Sequence, residues 1–147
     1  MQFFFERSRN RKEATIHAFD QLEENDSVVK LFFLPKSTLD GCVADKINNG
    51  QRVNKDWEEI SLALSLVEHF AVGVNNSIYD IKILNSMAGN KMISLFSNCE
   101  SVIHNKREGR DNQKNYAEFE KMINQLKKLR NKKSKLLEIQ EYIKKFI

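Results

Sequence analysis

The stretch from Asn54 to Asn75 (NKDWEEISLALSLVEHFAVGVN) constrains the fold more than any other, because its apolar residues recur at helical spacing on two adjacent faces. Trp57, Ile60, Leu64, Val67, Ala71 and Val74 make one stripe; Ala63, Leu66 and Phe70 make a second beside it. Together they exceed the roughly 100° arc by which a surface helix meets its core. A helix that is apolar this far round must be covered from several sides, so the segment is expected at the centre of the domain. Asn54 is placed to cap its first turn, and Asp56, Glu58 and Glu59 put negative charge where the helix dipole is positive.

What surrounds that helix follows from how little in the chain interrupts helices. One Pro and five Gly in 147 residues favour long helices with short connections over a strand-rich fold. The expectation is an all-α fold, a compact bundle of five to seven helices around the buried central one, ending in a long basic C-terminal helix. A single domain spans 1–147, long enough to bury about two-thirds of its unfolded surface. Within it, residues 1–12 read as a membrane-proximal arm and 130–147 as a basic helical extension.

In chain order, Glu6 to Glu24 reads as a helix with one modest apolar face of Ala14, Ile16, Ala18, Phe19 and Leu22. Asn25, Asp26 and Ser27 stop it and cap a short second helix, Val28 to Leu34, which Pro35 terminates. The nearly continuous apolar run there leaves a short buried strand as the alternative. Ser37 or Thr38 then caps a helix over Leu39 to Asn48, closed by Asn49-Gly50. After the central helix, Ser77 is expected to cap Ile78 to Ala88, with Gly89 at the C′ position. Met92, Leu95, Phe96, Cys99, Val102 and Ile103 fall at steps of three and four, which predicts an amphipathic helix with Cys99 as a small core residue. Lys106 to Lys114 has no apolar residue and reads as an exposed loop. Tyr116, Phe119, Ile123, Leu126 and Leu129 begin the last helix. Leu136, Tyr142 or Ile143, and Phe146 continue it at near-heptad spacing past a polar break from Arg130 to Lys135.

Charge is divided unevenly. Residues 121–147 carry nine Lys or Arg against Glu138 and Glu141, whereas residues 1–120 carry fifteen against eighteen acidic residues. A basic helix bearing Leu136, Leu137, Ile139, Tyr142, Ile143 and Phe146 can meet a partner helix, nucleic-acid phosphates or an anionic membrane surface. Its aromatics lie at core spacing rather than interleaved as a base-stacking platform, which favours a protein partner or a second copy of the chain. At the other end, Phe3, Phe4 and Phe5 precede Arg7, Arg9, Arg11 and Lys12. That order suits either an interfacial anchor or aromatics packed on the domain as the first turn of helix one. No apolar run approaches the roughly eighteen residues of a membrane helix, and no secretion leader is evident. The expected setting is the cytoplasm, with the inner face of the membrane as the alternative.

Cys42 and Cys99 have no second Cys or His at ligand spacing, so neither a disulfide framework nor a zinc site is expected, and no cofactor or small-molecule site is identified. An enzyme reading rests on three residues. Some helical domains of this size are metal-independent ribonucleases that use an Arg and a His a few residues apart, and Arg11 and His17 meet that spacing. Glu68, beside His69, interrupts the central apolar stretch and reads either as a catalytic acid or as a structural carboxylate paired with a cation such as Arg107 or Lys106. His104, next to Asn105, Lys106 and Arg107, reads as a cation at a helix end.

Several short motifs carry a resemblance. Lys12-Glu13-Ala14-Thr15-Ile16, Val67-Glu68-His69-Phe70 with Gly73-Val74, Ile78-Tyr79-Asp80, Gly89, Arg107 and Tyr116-Ala117-Glu118-Phe119-Glu120 resemble an uncharacterised bacterial family of the domain-of-unknown-function type. The similarity spans about residues 10–127. In that family one N-terminal membrane helix commonly precedes a small all-α cytosolic domain, so the resemblance implies a bacterial, helical, membrane-proximal protein. It supplies no catalytic residues. This chain departs from it in lacking the membrane helix, of which Phe3 to Phe5 would be the remnant.

The functional expectation is a non-enzymatic interaction or regulatory module. Its contact residues are Lys127, Lys128, Arg130, Lys132, Lys133, Lys135, Tyr142 and Phe146. Nucleic-acid binding through the same helix and ribonuclease activity through Arg11 and His17 stand as alternatives.

Overall fold

A computed structural model describes residues 2–49 and 55–146, with side chains from residue 6 to 48 and from 55 onward. The expected cap at Asn54, the closure at Gly50 and the packing of Phe3 to Phe5 lie outside what is described. Among the described residues there are seven helices and no strand: α1 (Gln2–Glu24), α2 (Asp26–Phe33), α3 (Lys36–Asn49), α4 (Lys55–Asn75), α5 (Ile81–Asn98), α6 (Glu100–Lys106) and α7 (Ala117–Phe146).

The two-stripe segment is α4, and it is covered as its sequence demands. It packs against α1, α2, α3 and α7. Ile60, Ala63, Leu64, Val67, Phe70, Ala71, Gly73 and Val74 are all buried, while Trp57 and Leu66 sit half-buried at the edge. Full burial of a side chain such as Leu64 contributes about 1.5–3 kcal/mol, so this helix carries a large share of the hydrophobic term. Rings extend the core outward: Phe19 meets Phe70 at 6.0 Å, Phe70 stacks on Tyr79 at 5.4 Å, and Phe96 meets Phe119 edge-on at 5.1 Å.

Several boundaries differ from the sequence expectation, each for a local reason. The run from Val28 is helical, with the Asn25 side chain accepting from the amides of Ser27 and Val28. Helix α3 starts at Lys36, ahead of the expected Ser37 or Thr38 cap, because Pro35 needs no amide partner and its carbonyl accepts from Thr38 and Leu39 at 3.1 and 3.2 Å. Ser77 does not open α5; it closes α4. Its φ of 60° is left-handed. Its amide donates to Val74 O (3.2 Å) and the Ile78 amide to Gly73 O (3.0 Å), the bond pair of a Schellman motif. The chain then folds Tyr79 flat over Gly73, where any Cβ would overlap its ring. The cap of α5 is Asp80, whose carboxylate accepts from the amides of Lys82 and Ile83.

The expected end at Ala88 and Gly89 falls on a kink rather than a full stop, the Ala88 φ of −153° interrupting the helical run. Helix α5 kinks at Ala88 and runs on to Asn98, with the Arg130 guanidinium laid over Gly89. The expected single helix from Met92 to Ile103 is broken at Cys99, where α5 stays on α7 while α6 turns onto α3. The break spares the period: Met92, Leu95, Cys99, Val102 and Ile103 are all buried. Burial also pushes the Cys99 thiol up to about 12, which keeps it a neutral core group. The polar stretch from Arg130 to Lys135 does not break α7, which is continuous over its 30 residues.

Candidate interaction surface

Helix α7 begins with an unusual device. Tyr116, the residue before it, has φ 62°, and its phenol cannot accept from the first-turn amides as an Asn or Ser would. The cap comes from α4 instead. The Glu68 carboxylate accepts from the amides of Glu118 (3.0 Å) and Phe119 (2.7 Å), the second and third residues of α7. A carboxylate at a helix N-terminus joins charge-assisted hydrogen bonds to a favourable dipole. Glu68 therefore pairs with backbone, not with Arg107 or Lys106 as its sequence context suggests. Arg107 instead bonds Asn115 O and pairs with Glu120, while Lys106 donates to Ser61.

Further polar anchors fasten the first half of α7. Asn75, at the end of α4, donates to the Glu118 carbonyl and carboxylate and accepts from Gln125. Phe119, Met122, Ile123 and Leu126 are fully buried. Arg130 is the last tie, donating from Nε to Asn90 (2.6 Å) and from a terminal nitrogen to Asn85 (3.0 Å). It was grouped above with the contact cations; geometry puts it with the body of the domain.

Beyond Arg130 every described residue of α7 is exposed. At about 1.5 Å per residue, 131–146 projects roughly 24 Å. It carries Leu136, Leu137, Ile139, Tyr142, Ile143 and Phe146, the last 73% exposed, with the Tyr142 and Phe146 rings 4.7 Å apart. Leu136, Ile139, Ile143 and Phe146 follow steps of three, four and three, which sets them on one face. Lys127, Lys128, Lys132, Lys133 and Lys135 are exposed. The arrangement is a rooted, rod-like amphipathic helix with its apolar stripe open to solvent.

The enzyme candidates lie elsewhere. Arg11 pairs with Asp80 at 3.5 Å, and between them the buried Thr15 hydroxyl donates to Arg11 O and accepts from the Asp80 amide. This knot ties α1 to the cap of α5. A cleft of about 410 Å³ opens beside it, lined in part by Arg11, Lys12 and Gln125 but not by His17. His17 is exposed, and six residues place it about 120° round α1 from Arg11. Glu68 is on a different element, engaged with α7. Among the described residues no three His, Cys, Asp or Glu side chains gather as a metal would require.

Sequence reasoning missed Thr15, Asp80, Asn75, Asn85 and Asn90 as anchors. Asp80 alone had a signal, an acidic side chain just ahead of an apolar-periodic run. Among the described residues no helix is long and apolar enough to cross a membrane. No curated protein and no solved structure matches the chain. One family model does, over residues 1–126, so that the match ends where the buried part of α7 ends: the chain belongs to the family described as Domain of unknown function (DUF4760).

Proposed function

We propose that this protein is a non-enzymatic interaction module that captures a partner protein helix along the projecting half of α7. One observation carries the reading: residues 131–146 hold six large apolar side chains in helical register, all exposed and beyond the last tie at Arg130. Monomeric proteins rarely leave so contiguous an apolar surface uncovered, and the steps of three and four suit helix-on-helix packing. Charge favours the kind of partner. This segment carries Lys132, Lys133, Lys135, Lys144 and Lys145 against Glu138 and Glu141, so an amphipathic helix with acidic flanks complements it better than a second copy does. The body of the bundle supplies a fixed base through Glu68, Asn75 and Arg130.

The test is to purify the chain and a Leu136→Ser, Ile143→Ser, Phe146→Ser variant, measure mass in solution, and titrate both with the partner recovered from the host and produced separately. The expected result is a monomer that binds the partner with modest salt dependence and loses it in the variant. A chain that instead shifts labelled RNA only at low salt, with an affinity falling by about 0.7 log unit per neutralised phosphate for each log unit of salt, overturns the reading in favour of nucleic acid.

A further inference from the structure

A second feature lies at the opposite end of α4 from Asn75, independent of the projecting helix. Lys46 near the end of α3 and Lys106 at the end of α6 converge on the ring of Trp57, their Nζ atoms 4.3 and 4.8 Å from its centroid. Each spends one donor on a neutral acceptor: Lys46 on Asn105 Oδ1 (3.0 Å), Lys106 on Ser61 Oγ (2.6 Å). Among the described residues neither ammonium has a carboxylate at ion-pair distance, although six other cations do. Beside them is a cavity of about 500 Å³, lined in part by both lysines, Asn105, Asn112, Asn115 and Tyr116. Glu108 also borders it and joins neither lysine.

Two like charges held against one indole repel each other, and cation–π attraction to a shared ring offsets that only in part. The repulsion registers on Lys106, whose ammonium is pulled below the ordinary lysine value by burial first and by Lys46 second. A surface lysine is easily turned to water, yet here the loop after α6 folds back to wall the cavity: the Asn115 amide donates to Lys106 O, and Asn112 to Glu108 O. Asn105 has given its carbonyl oxygen to Lys46, which leaves its amide hydrogens as donors for a ligand.

We propose that this cavity binds the phosphate group of a small molecule, with Lys46 and Lys106 as the charged ligands to its oxygens and Asn105 as a neutral donor. The donor set suits the ligand class: the two ammonium groups and the Asn105 amide can each meet one of the oxygens of a phosphate monoester, whose charge of about −1.5 to −2 also tolerates the Glu108 carboxylate on the same lining better than the single charge of a carboxylate would. Size agrees, since small-molecule sites fall at roughly 300–1,000 Å³, more than a bare phosphate ion fills. Bound phosphate restores the Lys106 ammonium toward its ordinary value by supplying the counter-charge that the protein withholds.

The chain carries its own reporter, because Trp57 is the one tryptophan of the sequence. Its emission is followed while inorganic phosphate is added to the full chain at constant ionic strength, with chloride as the matched control. The expected result is a saturable change, weakened at least about tenfold in both Lys46→Met and Lys106→Met, which keep most of the aliphatic stem. A phosphorylated sugar and a nucleoside monophosphate are titrated alongside. Tighter binding than inorganic phosphate assigns the site to the phosphoryl group of a larger ligand; equal binding assigns it to phosphate itself. In parallel, acylation of lysines is mapped by peptide mass: phosphate should slow labelling of Lys106 and leave Lys132 and Lys133 unchanged. A Trp57 response no larger than that to chloride, or one that survives undiminished in both variants, overturns the proposal.

Discussion

The two halves of α7 are one continuous helix with opposite fates. From Ala117 to Arg130 the helix is built into the bundle, with Phe119, Met122, Ile123 and Leu126 at zero exposure and polar ties at Glu68, Asn75, Asn85 and Asn90. From 131 to 146 it carries apolar side chains of similar size at similar spacing, and all of them face water. Periodicity is therefore common to both halves and cannot be what buries one of them. What differs is the opposite wall: α4 and α5 face the first half, α4 ends at Asn75 beside Gln125, and the ties of Arg130 to Asn85 and Asn90 of α5 are the last that hold the helix down.

The strongest way to break this comparison is to cut the same side chain on each side of the boundary. Phe119→Ala removes a fully buried ring and its edge-on contact with Phe96, and should cost about 3–5 kcal/mol in denaturant unfolding. A loss of that size consumes much of the stability of an ordinary domain. Were Phe119→Ala to unfold like the parent, the first half of α7 would not be part of the core.

Next in size is the cap. Glu68→Ala strips both amides of their acceptor at the start of α7 and should cost about 1.5–3 kcal/mol, whereas Glu68→Gln keeps one acceptor oxygen and should cost about half as much. The graded pair matters because a residue that only packed against its neighbours would respond little to Gln. Equal losses in the two variants would remove the cap from the account.

How far the chain could be read in advance divides along similar lines. The central helix, the all-α class and the burial of Cys99 were legible, because each rests on apolar spacing that the sequence carries directly. Glu68 was legible as an anomaly but not as a cap. Its partners are backbone amides some fifty residues on, preceded by a tyrosine rather than a capping residue, and backbone donors leave no mark in the sequence. Ser77 was misread for a related reason: serine opens helices far more often than it ends them, and its left-handed φ belongs to a closing pair of backbone hydrogen bonds that its side chain does not announce. The phosphate cavity was invisible because Lys46, Trp57 and Lys106 come from three elements that nothing in the spacing connects.

Ser77 supplies the third test. Glycine adopts a φ of 60° without the Cβ penalty, so Ser77→Gly should stabilise the domain, by about 0.5–1 kcal/mol after the extra freedom it gives the unfolded chain. The same exchange at Tyr116, also left-handed, should fail to stabilise, because its half-buried ring packs against the core. A stabilised Tyr116→Gly would show that its ring contributes little to seating α7, and the contrast between the halves would then rest on Phe119 to Leu126 and on Glu68.

The smallest effect is the most informative about the second half. Leu136→Ser with Ile143→Ser removes two large aliphatic side chains, which in a core would cost several kcal/mol. Here both are about half exposed and lie beyond the last polar tie at Arg130, so the unfolding free energy of the isolated chain should move by no more than about 0.5 kcal/mol. Their helix propensity changes by only a few tenths of a kcal/mol per residue, which predicts at most a modest loss of helical signal from the projecting end. Partner binding should nonetheless disappear, since those side chains form the middle of the exposed stripe. A large loss of stability in the isolated chain would mean that the stripe is already covered, by a second copy or by the chain's own residues. Measuring the same variant at two protein concentrations tells those apart, because only the loss of a self-contact depends on concentration.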